Sequence, residues 1–104
     1  MENPGFPTGS ALRREAERPV FARPGGARTV QMITPDTGAS RLINGFTDIP
    51  PGAGIPLHFH DCEESVLVVS GQATVEIDGA QRPAQAGDVV WVRAGVPHRF
   101  SNLS

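Results

Sequence analysis

Two of the chain's three histidines, His58 and His60, stand two positions apart and are followed by a pair of carboxylates, Glu63 and Glu64. In an extended strand, side chains two positions apart project from the same face, so both imidazoles would point toward one place. A short turn at 61–63 would let Glu64 bring an oxygen to the same place. These donors can bind a metal ion, although two surface histidines on a polar strand are the common alternative.

The third histidine, His98, lies 34 residues after Glu64 and would join the group from a strand that folds back alongside. It has a glycine and proline framing of its own in Gly95-Val96-Pro97. Three imidazoles and one carboxylate combine borderline and hard donors, which suits iron, manganese, cobalt, nickel, copper or zinc better than calcium or magnesium. The expected cofactor is therefore a divalent transition metal.

The stretch 52–71 resembles the first motif of the cupin superfamily, G-x5-H-x-H-x3-E-x6-G. The matching residues are Gly52, His58, His60, Glu64 and Gly71. The second cupin motif, G-x5-P-x-G-x2-H-x3-N, is similar to the stretch 87–102. Its matching residues are Gly87, Gly95, His98 and Asn102, and Arg93 stands where the family has proline.

This resemblance covers about half the chain and implies a small single-domain cupin. The fold it implies is all-β, a double-stranded β-helix that forms a jelly-roll-like barrel. The metal would be held by His58, His60, Glu64 and His98. Small single-domain cupins commonly pair, so the resemblance also favours a homodimer.

Strand parity extends the metal site to a pocket, because residues two apart on a strand share a face. The predicted pocket residues are Val66, Val68, Trp91, Phe100 and Met32. Parity leaves Leu67 and Val69 on the outer side of the same strand. Apolar residues on both faces indicate that the strand is covered on both sides, so we expect Leu67 and Val69 to lie in the homodimer interface.

Composition favours one all-β domain. Ten prolines and twelve glycines in 104 residues indicate many turns and short strands. A net charge of −2 suggests neither nucleic acid nor a membrane surface as partner. With one cysteine there is no internal disulfide, which predicts a reducing cytoplasm. No apolar run approaches the roughly 18 residues of a membrane span.

We divide the chain into a proline- and glycine-rich N-terminal arm, residues 1–27, and a cupin barrel domain, residues 28–104. Within the arm, 12–18 is expected to form a turn or two of helix capped by Ser10. The arm would be a flexible tail, or it would lie across a partner subunit. The chain stops two residues after Asn102, so the barrel would be closed by N-terminal strands or by a partner's arm, unless the sequence is a truncated product.

Alternating and β-branched stretches predict the strands of the barrel. They are Thr29–Thr34, Ser40–Asp48, Val66–Val69, Gln72–Ile77, Ala80–Pro83, Val89–Val92 and Pro97–Leu103. Turns are predicted at 35–38 and at Asp78-Gly79, the strongest hairpin signal in the chain.

Four protein ligands around an octahedral ion leave two positions open, enough for a bidentate substrate or for substrate and dioxygen. We therefore predict a metalloenzyme that acts on a small carbonyl compound or sugar acid, as a dioxygenase or as an isomerase or cyclase. The alternative is a non-catalytic cupin module that binds or senses a small ligand. No catalytic acid or base stands out.

Four other residues have a chemistry of their own. Cys62, beside the candidate ligands, is interpreted as structural or incidental. Arg41, Arg82 and Arg99 could bind an anionic substrate, but isolated surface arginines are usually solvated.

Overall fold

The computed structural model describes residues 9–104, so the first eight residues of the predicted arm lie outside the described part. In residues 9–104, the strands are β1 Val20–Ala22, β2 Arg28–Ile33, β3 Asn44–Asp48, β4 Gly54–His58, β5 Glu64–Leu67, β6 Gln72–Ile77, β7 Ala80–Gln85, β8 Val89–Val92 and β9 His98–Ser101. Short 3₁₀ turns cover Glu15–Glu17 and Pro35–Thr37. The prediction of an all-β chain is confirmed. Within 9–104, no helix is long and apolar enough to cross a membrane.

Residues 9–23 and 28–48 belong to one compact unit, which contains a three-stranded antiparallel sheet in the order β1-β2-β3. The N-terminal segment is held on β2 by arginines. Arg13 donates to the carbonyl oxygen of Met32 at 3.2 Å and to the carboxylate of Asp36 at 2.9 Å. Arg18 donates to the carbonyl oxygen of Gln31 at 2.8 Å. Residues 9–23 therefore pack on β2, and the predicted boundary after residue 27 stays a prediction.

The helix predicted over 12–18 is wrong in extent and in its cap. Only Glu15–Glu17 turn, and Arg14 stands at the N-cap position. Arg18 is extended, with φ −102° and ψ 148°. This is the conformation that a residue before proline prefers, and Pro19 follows it.

Residues 24–27 and 49–104 form the second compact unit. It has a four-stranded sheet in the order β4-β9-β6-β7 and a two-stranded sheet of β5 and β8, and all of these pairs are antiparallel. Val75, Ala84 and Phe100 form its buried core cluster. Partly buried side chains from both sheets pack against that cluster: Ile49, Ile55, Val66, Val68, Ile77 and Val90.

The predicted strands correspond to β2, β3 and β5 to β9. Those at Gln72–Ile77 and Val89–Val92 are correct at both ends. The prediction for β3 starts four residues too early, and β1 was not predicted. The turn at Asp78-Gly79 is confirmed, because both residues have positive φ, 49° and 87°, as a two-residue hairpin of this type requires.

Candidate metal centre

His58 is placed by an irregularity in β4. Ile55 pairs with Phe100 and His58 pairs with His98, so three steps along β4 match two steps along β9. This is a β-bulge, in which Pro56 and Leu57 together oppose one residue of β9. Regular alternation from the inward Ile55 would have turned His58 outward. Both bulge residues instead lie exposed, and Ile55 and His58 both face inward.

The residue types at the bulge suit it. Pro56 has no N–H to give to a ladder, so an interruption there costs no backbone hydrogen bond of its own. Its carbonyl oxygen lies 2.8 Å from Nδ1 of His58. The ring of His58 stands 4.3 Å from that of His98, measured between centroids.

The connection from β4 to β5 brings His60 and Glu64 to the same place. The carbonyl oxygen of His60 accepts the N–H of Gly95 at 2.7 Å, which ties this loop to the turn before β9. Nε2 of His60 lies 2.9 Å from Oε1 of Glu64. Glu64 opens β5 opposite Val92, which is 1% exposed. Glu64 therefore points to the inner side.

His98 begins β9, the strand between β4 and β6. Its side chain is 1% exposed, and a polar ring buried this deeply needs a partner at each nitrogen. Nδ1 lies 2.8 Å from the carbonyl oxygen of Val96. Nε2 lies 2.9 Å from Oε1 of Glu64, the same oxygen that His60 faces.

All three imidazoles are set in the same way by the backbone. Each Nδ1 faces a carbonyl oxygen, that of Pro56 for His58, Cys62 for His60 at 3.1 Å, and Val96 for His98. A carbonyl oxygen only accepts, so Nδ1 carries the hydrogen, and in the neutral ring Nε2 then presents a lone pair. This arrangement is the outer support that metal-binding histidines have.

The donor set fits a metal ion. With neutral rings, two Nε2 lone pairs and a carboxylate oxygen at 2.9 Å would oppose one another unless a cation lies among them. Ligand atoms that each lie about 2.1 Å from one ion, at right angles, are themselves about 3 Å apart. One ligand atom from each of His58, His60, Glu64 and His98 lies within 4.8 Å of the others. The described residues thus bring together the four side chains that the motifs select.

The predicted pocket residues Val66 and Val68 pack against the core cluster that contains Phe100. Leu67 and Val69 are exposed, on the outer side, as parity predicts. Met32 lies on β2, in the other compact unit, and its place in the pocket stays a prediction.

Trp91 stands on the face opposite to the four candidate ligands, not beside them as the prediction has it. It pairs with Ser65, whereas the inward Glu64 pairs with Val92. The indole N–H donates to Oε1 of Glu63 at 2.8 Å, and the indole side chain is exposed. The outer carboxylate of the Glu63-Glu64 pair is thus bound to Trp91, and the inner one belongs to the cluster.

The remaining candidates are not members of the metal-ligating group among the described residues. Cys62 contributes its carbonyl oxygen to His60, and its exposed thiol lies 3.6 Å from Nδ1 of the same ring. Arg99 donates to Glu76 at 2.7 Å on the outer face, and this hydrogen bond lowers the pKa of the Glu76 carboxyl. Arg41 is exposed in the loop before β3.

Sequence reasoning missed the three backbone carbonyls and the bulge. A signal for one of them is present in the sequence, because Pro56 precedes His58 by two positions in a strand that otherwise reads as regular. Proline inside a strand indicates an edge or a bulge.

Residues 45–104, more than half of the chain, match the family model described as a cupin domain. The chain belongs to the cupin family. The predicted family is therefore confirmed.

Two curated relatives come from streptomycetes. This cupin is 36% identical over 87 residues to polyketide synthase CurC of Streptomyces cyaneus, an alignment that covers 82% of this chain and 55% of the relative. It is 34% identical over 73 residues to protein SchB of Streptomyces halstedii, with 68% of this chain and 53% of the relative covered. The chain thus spans about half the length of the curated relatives it matches.

Solved structures agree on the fold. A predicted oxalate decarboxylase from Thermotoga maritima superposes with a TM-score of 0.79 at 22% identity, covering 89% of this chain and 88% of that one. The polyketide cyclase RemF from Streptomyces resistomycificus gives a TM-score of 0.78 at 20% identity, covering 89% of this chain and 70% of that one. The fold is a cupin β-barrel, as predicted.

Proposed function

We propose that this cupin holds one divalent transition metal ion with His58, His60, Glu64 and His98. We further propose that it acts on an enolisable polycarbonyl substrate of the polyketide class, as a cyclase. The observation that carries the proposal is the convergence of the Nε2 atoms of His60 and His98 on one oxygen of Glu64. It supports a preorganised cation site, and four protein ligands around an octahedral ion leave two positions for a chelating ligand.

The metal, when bound, would polarise a carbonyl oxygen of the substrate and so favour its enolate. The protein's own part is to place the donors and to limit water. Backbone carbonyls orient the three imidazoles, as described above. Val66, Val68 and Phe100 supply an apolar neighbourhood, in which electrostatic interactions with a bound ion are stronger than in water.

Two considerations favour a polyketide over a sugar acid. CurC and RemF carry polyketide chemistry in their names, and the apolar core cluster reaches the candidate ligands, where Phe100 lies beside His98. A sugar acid would leave its hydroxyl groups without partners at such a wall. A dioxygenase consumes oxygen and a cyclase of this kind does not, so an oxygen measurement distinguishes the two.

The test uses an acetoacetyl thioester in deuterated buffer, with the protein loaded in turn with iron, manganese, cobalt, nickel and zinc. We expect deuterium to enter the carbon between the two carbonyls faster than with chelator-treated protein or with His98→Ala, and an oxygen electrode to record no uptake. Oxygen consumption coupled to loss of the thioester would favour the dioxygenase. Binding of the thioester without faster exchange would favour the non-catalytic module.

We also infer that a second copy of this chain covers the outer face of the β5–β8 sheet. Four large apolar side chains on that face are more than half exposed: Leu67, Val69, Val89 and Trp91. Leu67 lies directly opposite Val89 in the ladder, so these side chains are neighbours in one patch. Patches of this kind on soluble proteins commonly mark contact surfaces.

A further inference from the structure

β7 and β8 leave one tight turn and enter different sheets. The turn is closed by the N–H of Asp88, which donates to the carbonyl oxygen of Gln85 at 2.9 Å. It is closed again by the N–H of Gln85, which donates to Oδ2 of Asp88 at 2.9 Å. The space between the diverging strands is an open groove of about 450 Å³. This volume lies within the range of small-molecule sites in proteins.

The groove is mostly apolar, and one of its lining residues, Ile77, lies on the strand next to His98. Val75 and Ile77 of β6 line it from one sheet, and Val90 of β8 lines it from the other. Ile77 pairs with His98 in the β6–β9 ladder, so the groove begins one strand away from a candidate metal ligand.

Arg82 is the cation of this groove. It pairs with Val75 in the β6–β7 ladder, so its side chain starts from the inner face of the sheet. In the described part of the chain, Arg82 has neither an ion pair nor a side-chain hydrogen bond, whereas Arg99 on the outer face is bound to Glu76. The groove's carboxylate, on Asp88, already accepts the N–H of Gln85.

We propose that this groove binds a flat, apolar molecule that carries a negatively charged oxygen. The guanidinium of Arg82 pairs with that oxygen, and the body of the molecule lies against Val90 and Ile77. Guanidinium groups bind such oxygens with strong, charge-assisted hydrogen bonds. We identify the occupant as the part of the substrate remote from the metal, and this identification rests on the proposed function. A planar carbon frame with phenolate and enolate oxygens suits both the groove and the metal centre.

The test uses two fluorescent probes of similar shape, 8-anilinonaphthalene-1-sulfonate, which is anionic, and N-phenyl-1-naphthylamine, which is uncharged. Both are titrated into chelator-treated protein. We expect Arg82→Ala to weaken binding of the anionic probe about tenfold, the size of one charge-assisted hydrogen bond, and to leave the uncharged probe within about twofold. Arg82→Lys should recover part of the loss. Arg41→Ala, which removes the same charge elsewhere, is the matched control and should change neither probe.

A second variant fills the groove. Ala80 lines the groove and is exposed, so Ala80→Trp should abolish binding of both probes. The circular dichroism spectrum of this variant checks that it folds. If Ala80→Trp does not fold, Ala80→Leu takes its place. Equal effects of Arg82→Ala and Arg41→Ala would overturn the proposal. So would probe binding that survives filling but is lost in Leu67→Glu, because the probes would then lie on the outer face.

The metal is absent from these titrations, so the two proposals fail separately. If Arg82→Ala weakens both probes equally or neither probe, and the protein binds metal normally, the groove proposal alone is refuted. If the protein binds no metal, but Arg82→Ala still weakens only the anionic probe, the proposed function alone is refuted.

Discussion

Oε1 of Glu64 lies 2.9 Å from Nε2 of His98, although 34 residues separate the two in the chain. The contact joins the two sheets, since Glu64 opens β5 and His98 opens β9. The same oxygen also faces His60 at 2.9 Å. Both cupin motifs therefore meet at one carboxylate oxygen, and losing that carboxylate should disturb the site more than losing any neighbouring acid.

The bulge in β4 leads to a prediction that simple alternation would not make. Pro56 and Leu57 together oppose one residue of β9, so deleting Leu57 restores a regular ladder in which His58 still faces His98. We expect the Leu57 deletion to keep about one metal ion per chain, with lower affinity because the contact from His58 to the Pro56 carbonyl changes. Isothermal titration with zinc measures this affinity.

Deletion of Phe59 is the matched control for the Leu57 deletion. It makes His58 and His60 adjacent, which turns their side chains to opposite faces. We expect this variant to lose the metal. The account of the bulge is contradicted if the Leu57 deletion folds and loses metal as completely as the Phe59 deletion does.

The Arg13–Asp36 pair leads to a prediction about acid stability. Hydrogen bonding from Arg13 lowers the pKa of the Asp36 carboxyl. A carboxylate with a lowered pKa stabilises the fold above its unfolded pKa, and this stabilisation is lost as pH falls through the folded value. Asp36→Asn should therefore lower the melting temperature at pH 7, and the difference from the unmutated protein should shrink below about pH 4.

Asp48→Asn is the control for the acid series. Arg28 and Asp48 are both exposed, 56% and 69%, whereas Arg13 beside Asp36 is 9% exposed, and pairs with both members exposed contribute little. Melting curves from pH 7 to pH 2 compare the two variants. If the melting temperature of Asp36→Asn falls only as much as that of the control, or by an amount that does not depend on pH, the Arg13 contact does not stabilise the N-terminal segment.

The outer face of β5 leads to a prediction about assembly. Leu67 is 58% and Val69 68% exposed, and replacing both with glutamate would put charges into the proposed contact between two copies. Sedimentation at micromolar concentration should show a dimer for the unmutated protein and a monomer for the double variant. Leu103→Glu, at a position that is also exposed, should leave the dimer intact. An unmutated protein that sediments as a monomer refutes the interface.

Much of the site was predictable, because motif spacing and strand parity are local properties. The spacing from His60 to Glu64 selects the inner of two adjacent glutamates, and the outer one, Glu63, contacts Trp91 in the structure. Parity also places Leu67 and Val69 outside, as found. These inferences hold because a regular strand has a period of two.

The rest could not be predicted, because it depends on pairing. Residues 89–92 are all apolar, so their sequence does not indicate which side chains face inward. Only the pairing of Val92 with Glu64 shows that Trp91 faces outward. The bulge breaks the period of two on which the parity argument relies. The strand β1 has three residues, too few for a pattern, and forms because β2 offers it an edge.

Metal content tests the central claim most directly. Protein purified without added metal or chelator is analysed by mass spectrometry of the elements, beside Glu64→Ala and Glu63→Ala. We expect about one transition metal ion per chain in the unmutated protein and in Glu63→Ala, and a loss of about tenfold or more in affinity for Glu64→Ala. Absence of metal from the unmutated protein, with no rise in melting temperature on adding iron, manganese or zinc, would contradict the account. So would metal retained by Glu64→Ala and lost by Glu63→Ala.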